Sequence, residues 1–102
     1  SMALLQPIEI DGTGLFATYC RITHVSVDFT ATREHEGQTI AGVAEVLVHA
    51  YADKAARDDG KAPAAMRRMI FTTADIPLEG LSRAVLYEAV RSTPDFKDAQ
   101  DI

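Results

Sequence analysis

The stretch ATYCRITHVSVDFTAT, residues 17–32, is dense in β-branched and aromatic side chains, and it constrains the fold more than any other part of the chain. Such side chains lose rotamer freedom in a helix and pack well on a pleated, half-buried surface, so the segment is expected to be a strand. Val25, Val27 and Phe29 alternate with His24, Ser26 and Asp28, which gives the strand two unlike faces. Earlier in it, Cys20 and Ile22 fall in the opposite phase from Tyr19. Either both faces are partly covered there, or a bulge shifts the register.

Neighbouring segments supply partners for this strand. REHEGQ (33–38) is charged, contains Gly37 and reads as a hairpin loop. TIAGVAEVLVHAY (39–51) follows; Val43, Val46, Leu47, Ala50 and Tyr51 also satisfy a helical i, i+3, i+4 pattern. Its valines, Thr39-Ile40 and the helix-weakening Gly42 favour a strand, though a helix over 43–57 stays open. ADKAARDDGK has helix-forming alanines closed by Gly60, consistent with one helical turn and a glycine C-cap, and Ala62-Pro63 returns the chain to an extended form. AMRRMIFTTAD (65–75) reads as a third strand. Ahead of all these, residues 1–16 contain Pro7 and Asp11-Gly12-Thr13-Gly14, an extended arm and then a tight turn.

In DIPLEGLSRAVLYEAVRSTPDF, Leu78, Leu81, Val85 and Ala89 recur at helical spacing. Asp75 and Pro77 suit a helix entrance, Gly80 delays the regular turns, and Pro94 stops the helix near Ser92. Glu79 and Arg83 have the spacing of a weak i, i+4 pair on a solvated helix face. Phe96 is placed to pin the exit to the sheet, and residues 97–102 read as a polar tail. The expected fold is a single α+β domain: an antiparallel three- to four-stranded β-meander over 17–75, with a C-terminal α-helix over 76–93 packed on one face and a tail over 94–102.

With 102 residues, 47% hydrophobic and 25% charged, the chain suits one soluble domain with a modest core. A net charge of -5 argues against nucleic acid, because phosphate binding needs clustered Lys and Arg. No apolar run approaches the ~20 residues of a membrane helix, so no membrane association is expected. Nothing at the start resembles a secretory signal, and Ser1 before Met2 reads as a remnant of tag removal. The single Cys20 excludes an internal disulfide and fits a reducing cytoplasm.

Candidate chemistry is sparse. On a strand, Cys20 and His24 stand roughly 13 Å apart along the chain and cannot share a zinc ion without a sharp bend. Cys20 is better read as a small buried apolar group. His35 lies between Glu34 and Glu36 without an accompanying nucleophile, and His49 is a lone histidine on a mixed face. The acids Asp53, Asp58 and Asp59 before Gly60 lack the ligand spacing of a calcium loop. Gly12-Thr13-Gly14 lacks the downstream lysine of a phosphate loop. No catalytic, metal or cofactor residues are therefore assigned, and no cofactor is expected.

Three segments, PIEIDGTGLFATYCRITHVSVDF, YADKAARDDGKAP and LYEAVRSTPDFKDAQDI, resemble in order and spacing the small uncharacterised proteins encoded among the tail and morphogenesis genes of tailed bacteriophages and prophages. The likeness rests on Tyr19, Arg21 and Ile22; on Ala56, Arg57, Gly60, Lys61 and Pro63; and on Pro94, Asp95 and Phe96. It implies a non-enzymatic structural or assembly protein acting in the bacterial host cytoplasm, or in the virion, through protein partners. Residues 51–63 then become a turn rather than a catalytic loop. Tyr19, Arg21, Arg57 and Lys61 are the expected contact residues. A sheet with one helix leaves a face and two edges to cover, so a homo-oligomer is expected. A module that binds a small ligand or peptide on the uncovered face is the alternative.

Overall fold

The computed structural model describes residues 2–102. Among these are five strands, β1 (Leu4–Ile10), β2 (Leu15–His35), β3 (Gln38–Tyr51), β4 (Ala65–Thr72) and β5 (Gln100–Asp101), and two short helices, α1 (Lys54–Asp58) and α2 (Arg83–Arg91). The strands form one sheet in the order β4-β3-β2-β1-β5, and every neighbouring pair is antiparallel. The class is α+β, with strand predominating.

β2 and β3 are the long strands that the sequence favours. Between them, His35 pairs with Gln38, leaving Glu36 (φ 50) and Gly37 (φ 80) as a two-residue turn with both φ positive. This turn matches the right-handed twist of the flanking strands. The expected helical turn is α1, where the Asp53 carboxylate accepts from Ala56 N at 2.8 Å and Gly60 closes the segment at φ 76. The phase conflict in β2 resolves as a bulge: Ile22 faces Val48 but His24 faces Leu47, so Thr23 is an extra residue.

Three expectations need correction. The sheet has five strands rather than three or four, because the segment read as an arm is β1, paired with β2 from Leu4 to Ile10. Pro7 is accommodated where the register slips between Leu5 and Ile8, since a residue without an N–H is tolerated at an irregularity. The polar tail is the second missed strand: a 3-10 turn over Pro94–Phe96 redirects the chain, and β5 pairs Gln100 with Leu5. The helix is shorter than 76–93. Asp75 caps a turn after β4, its Oδ2 accepting from Thr72 N at 2.8 Å, and Ser82 is the true N-cap, accepting from Val85 N at 3.2 Å. Glu79 thus precedes α2, and Arg83 reaches Met2 Sδ instead.

Strand register sorts the side chains. Cys20, Ile22, Val25 and Val27 of β2 face Ala50, Val48, Val46 and Ala44 of β3, which face Ala65, Arg67, Met69 and Phe71 of β4. This inner side holds most of the sheet's buried core, and Tyr87, Ala89 and Val90 of α2 belong to the same buried cluster, as do Leu4, Phe96 and Ala99. Arg67 Nη2 donates to Glu9 O at 3.4 Å, bringing β4 and β1 towards each other although they are not neighbours in the sheet. The inner side is therefore concave.

Candidate functional site

β2 is flanked unequally. β3 accompanies it from Tyr19 to His35, but its pairing with β1 ends at Cys20. From Arg21 onward, the side of β2 away from β3 borders no strand among the described residues. The Tyr87 hydroxyl marks the end of that pairing: it accepts from Ile22 N at 3.0 Å and donates to Met2 O at 2.8 Å. A continued ladder would join those two backbone groups directly, so one side-chain oxygen stands in for the next β1–β2 bond.

Beyond that oxygen the Thr23 bulge and the start of α2 enclose a cleft of about 350 Å³. Ile22, Val25, Leu81 and Leu86 supply apolar wall, and Arg21 and Arg83 are its formal cations. No aspartate or glutamate lines it. Ser82 Oγ is already committed to Val85 N, and His24 Nδ1 lies 3.0 Å from Thr23 Oγ1. Farther along β2, Asp28 Oδ1 accepts from Thr30 N, Thr30 Oγ1 and Ala31 N at 2.9, 2.9 and 3.1 Å. The Thr30 amide holds its carboxyl below the usual range.

The outer side of the sheet is the second candidate surface. Register places Leu5, Tyr19 and Tyr51 together there, then Arg21, His49 and Met66, then His24, Leu47 and Arg68, then Ser26, Glu45 and Ile70. Met66 and Ile70 are 48% and 46% exposed. Arg68 Nε lies 3.7 Å from Glu45 Oε1, and the His24 and His49 rings meet at 5.9 Å in a tilted arrangement. Partial burial, and then the His24 charge, push the His49 pKa down. The surface mixes apolar and charged groups.

Of the four expected contact residues, Tyr19 and Arg21 share this outer side. Tyr19 is only 7% exposed, which leaves it a packing role, while Arg21 is half-buried. Arg57 belongs to α1, and Lys61 follows the Gly60 that closes it. Arg57 Nη1 approaches Asp58 Oδ1 at 3.4 Å, and Lys61 is exposed.

Cys20 is fully buried, its thiol donating to Gln6 O at 3.5 Å. Burial pushes its pKa up to about 11 despite the nearby Arg67, so it lacks the thiolate character a reactive cysteine needs. His35 sits at the hairpin tip, 3.8 Å from Glu36. Among the described residues no group of three or more His, Cys, Asp or Glu is placed to hold a metal ion, and no helix is long and apolar enough to cross a membrane.

Sequence reasoning missed Tyr87 and treated Arg83 only as part of a solvated helix face. The expected Leu78–Leu81–Val85–Ala89 stripe does pack into the core, with Leu78 and Ala89 buried and Leu81 and Val85 against them, but it left out the adjoining line of α2. A parallel stripe, Leu86, Tyr87 and Val90, has equally good i, i+3, i+4 spacing and contains the side chain that meets β2. Comparison of the chain with protein-family models, with curated proteins and with solved structures found no match.

Proposed function

We propose that the protein is a non-enzymatic structural or assembly component of a tailed phage or prophage, working in the host cytoplasm through protein–protein contacts and self-associating through the outer side of its sheet. In this reading α2 covers the inner face and leaves the outer face to a second copy. The observation that carries it is the juxtaposition of Met66, Ile70 and Leu47 with paired and unpaired charges on β2–β4. Exposed apolar side chains interleaved with charged ones are compatible with a protein contact surface, which combines apolar and polar groups. The outer edge of β4 adds backbone groups to which no strand among the described residues is paired, a second means of association. The phage assignment rests on the sequence resemblance through Tyr19, Arg21, Arg57, Lys61 and the Pro94–Phe96 turn.

The test is solution mass by size-exclusion chromatography with light scattering over a concentration series, on the natural sequence and on Met66→Glu/Ile70→Glu. A discrete oligomer that the double substitution converts to monomer is the expected result. A monomer at every concentration, or an oligomer indifferent to the two glutamates, overturns self-association through this face.

A further inference from the structure

We propose that the groove between the free edge of β2 and the start of α2 binds an extended acidic peptide segment of a partner, which joins the sheet as an added strand. This differs from the outer-face contact around Met66 and Ile70, although Arg21 borders both: it uses the backbone edge of β2 with Arg21 and Val25, and side chains at the start of α2.

The backbone side of the groove is set by where β1 stops. Pairing with β1 ends at Cys20 while β3 holds the opposite side of β2 to His35, so the outward N–H and C=O groups beyond Ile22 face no strand among the described residues. Ile22 N itself is taken by Tyr87. An incoming segment therefore starts at the Thr23 bulge and runs to Asp28, beyond which residues 29–31 leave the regular register. That span accommodates about four to six residues at the usual strand rise.

The side-chain wall decides what kind of segment fits. Leu81, Leu86 and Val25 offer apolar contact, Arg21 and Arg83 offer two guanidiniums, and no carboxylate lines the cleft. Among the described residues neither arginine forms an ion pair, the six pairs lying elsewhere. The acid on β2 nearest this stretch, Asp28, has turned onto Thr30 and Ala31. In a chain of net charge -5, an acid-free groove with two arginines outside any ion pair, Arg83 touching only the neutral Met2 Sδ, is complementary to carboxylates. Main-chain bonds to β2 would give affinity, and alternation of acidic with apolar residues would give specificity.

The experiment uses the full chain, labelled with 15N, and the capped peptide Ac-Glu-Val-Glu-Val-Glu-NH2 as probe. Expected are shifts confined to the amides of residues 22–28 and 81–87, at least tenfold weaker binding by Arg21→Glu/Arg83→Glu, and weaker binding in high salt. The lysine counterpart, Ac-Lys-Val-Lys-Val-Lys-NH2, should not bind. Two N-methylated versions of the glutamate peptide leave the protein untouched and test the added strand itself: methylating one alternate set of amides abolishes binding, and methylating the other set preserves it. Equal binding of the lysine peptide, indifference to both N-methyl sets, shifts elsewhere, or no shifts overturns the proposal. Glutarate serves as the free-anion arm, and if it reproduces the peptide's shifts at the same concentration the strand model fails.

Discussion

The β2–β3 hairpin is supported very differently at its two ends. At the base, Cys20, Val46, Val48 and Ala50 are almost fully buried and share a cluster with Leu4, Tyr87 and Phe96. Towards the tip, β4 ends where Thr72 faces Val43, β1 has already ended, and residues 28–41 are mostly exposed. Phe29 is 61% exposed in this part. The tip also carries the weaker strand formers, with Ala31, Glu34, Glu36, Gly37 and Ala41 where the base has valines, so propensity and packing both favour the base. Packing stabilises the base, whereas the tip relies on cross-strand bonds and on the Glu36-Gly37 turn, and a two-stranded ribbon on its own is only marginally stable.

The sharpest way to break this contrast is to delete one aromatic ring from each region. Phe96 is fully buried, so Phe96→Ala should cost about 3–5 kcal/mol in urea unfolding, while Phe29→Ala should stay within about 0.5 kcal/mol. Comparable losses from both would mean that the tip is supported as firmly as the base.

Gly42 probes the joint between the two. Its φ of +104 is strained for other residues, and an added Cβ would stand 2.9 Å from both Leu78 Cδ1 and Thr73 Cγ2. Gly42→Ala should therefore cost about 1–3 kcal/mol, measured by thermal or urea unfolding. A neutral result would show that the turn around Thr73 and Leu78 yields easily. Next in size, Tyr87→Phe removes the partner of Ile22 N and Met2 O while keeping the ring. A loss of about 1–2 kcal/mol, with faster hydrogen exchange at the Ile22 amide and unchanged exchange at the tip, would place the effect at the base alone.

The smallest effect is expected from pH. His49 is pushed down from 6.5 in the folded protein by partial burial and then by His24. The folded state thus binds fewer protons than the unfolded state once pH falls below about 6.5, and stability declines from there towards the lower folded value. Above 6.5 this contribution is flat. His49→Gln should reduce the acid-side fall in melting temperature, and an unchanged pH profile would show that the His24–His49 pair has no linkage to folding.

The regions legible in the sequence are those where local chemistry and tertiary context agree. β2, β3, the Glu36-Gly37 turn, α1 with Gly60, β4 and the stop before Pro94 all follow from propensity, periodicity or turn chemistry. β1 and β5 were illegible for a different reason. Pro7 interrupts the alternation in β1, and Gln100–Asp101 is too short and polar to signal a strand, so β1 is extended chiefly because β2 is beside it, and β5 because β1 is. The start of α2 was misplaced because Asp75-Ile76-Pro77 imitates a helix entrance, whereas the Asp75 carboxylate is held by Thr72. Of the candidate surfaces, Arg21 could be named in advance. The groove could not, because it is created by the place where β1 ends, which is a property of pairing rather than of composition.

The pairing of β5 with β1 has a consequence for the order in which the chain can assemble as it is synthesised. Leu4 and Leu5 gain their outer neighbour from Gln100 and Asp101, Ala3 O accepts from Ile102 N at 3.1 Å, and Met2 is tied to β2 through Tyr87. On a ribosome, the β2–β3 hairpin can zip as soon as residue 51 has emerged, yet the first strand keeps an open edge until residues some ninety-five positions later have been made. Contacts of such long sequence separation form late, so the nascent chain carries an exposed strand edge through nearly its whole translation. That interval is when chaperone capture or wrong pairing between neighbouring nascent chains would compete with folding.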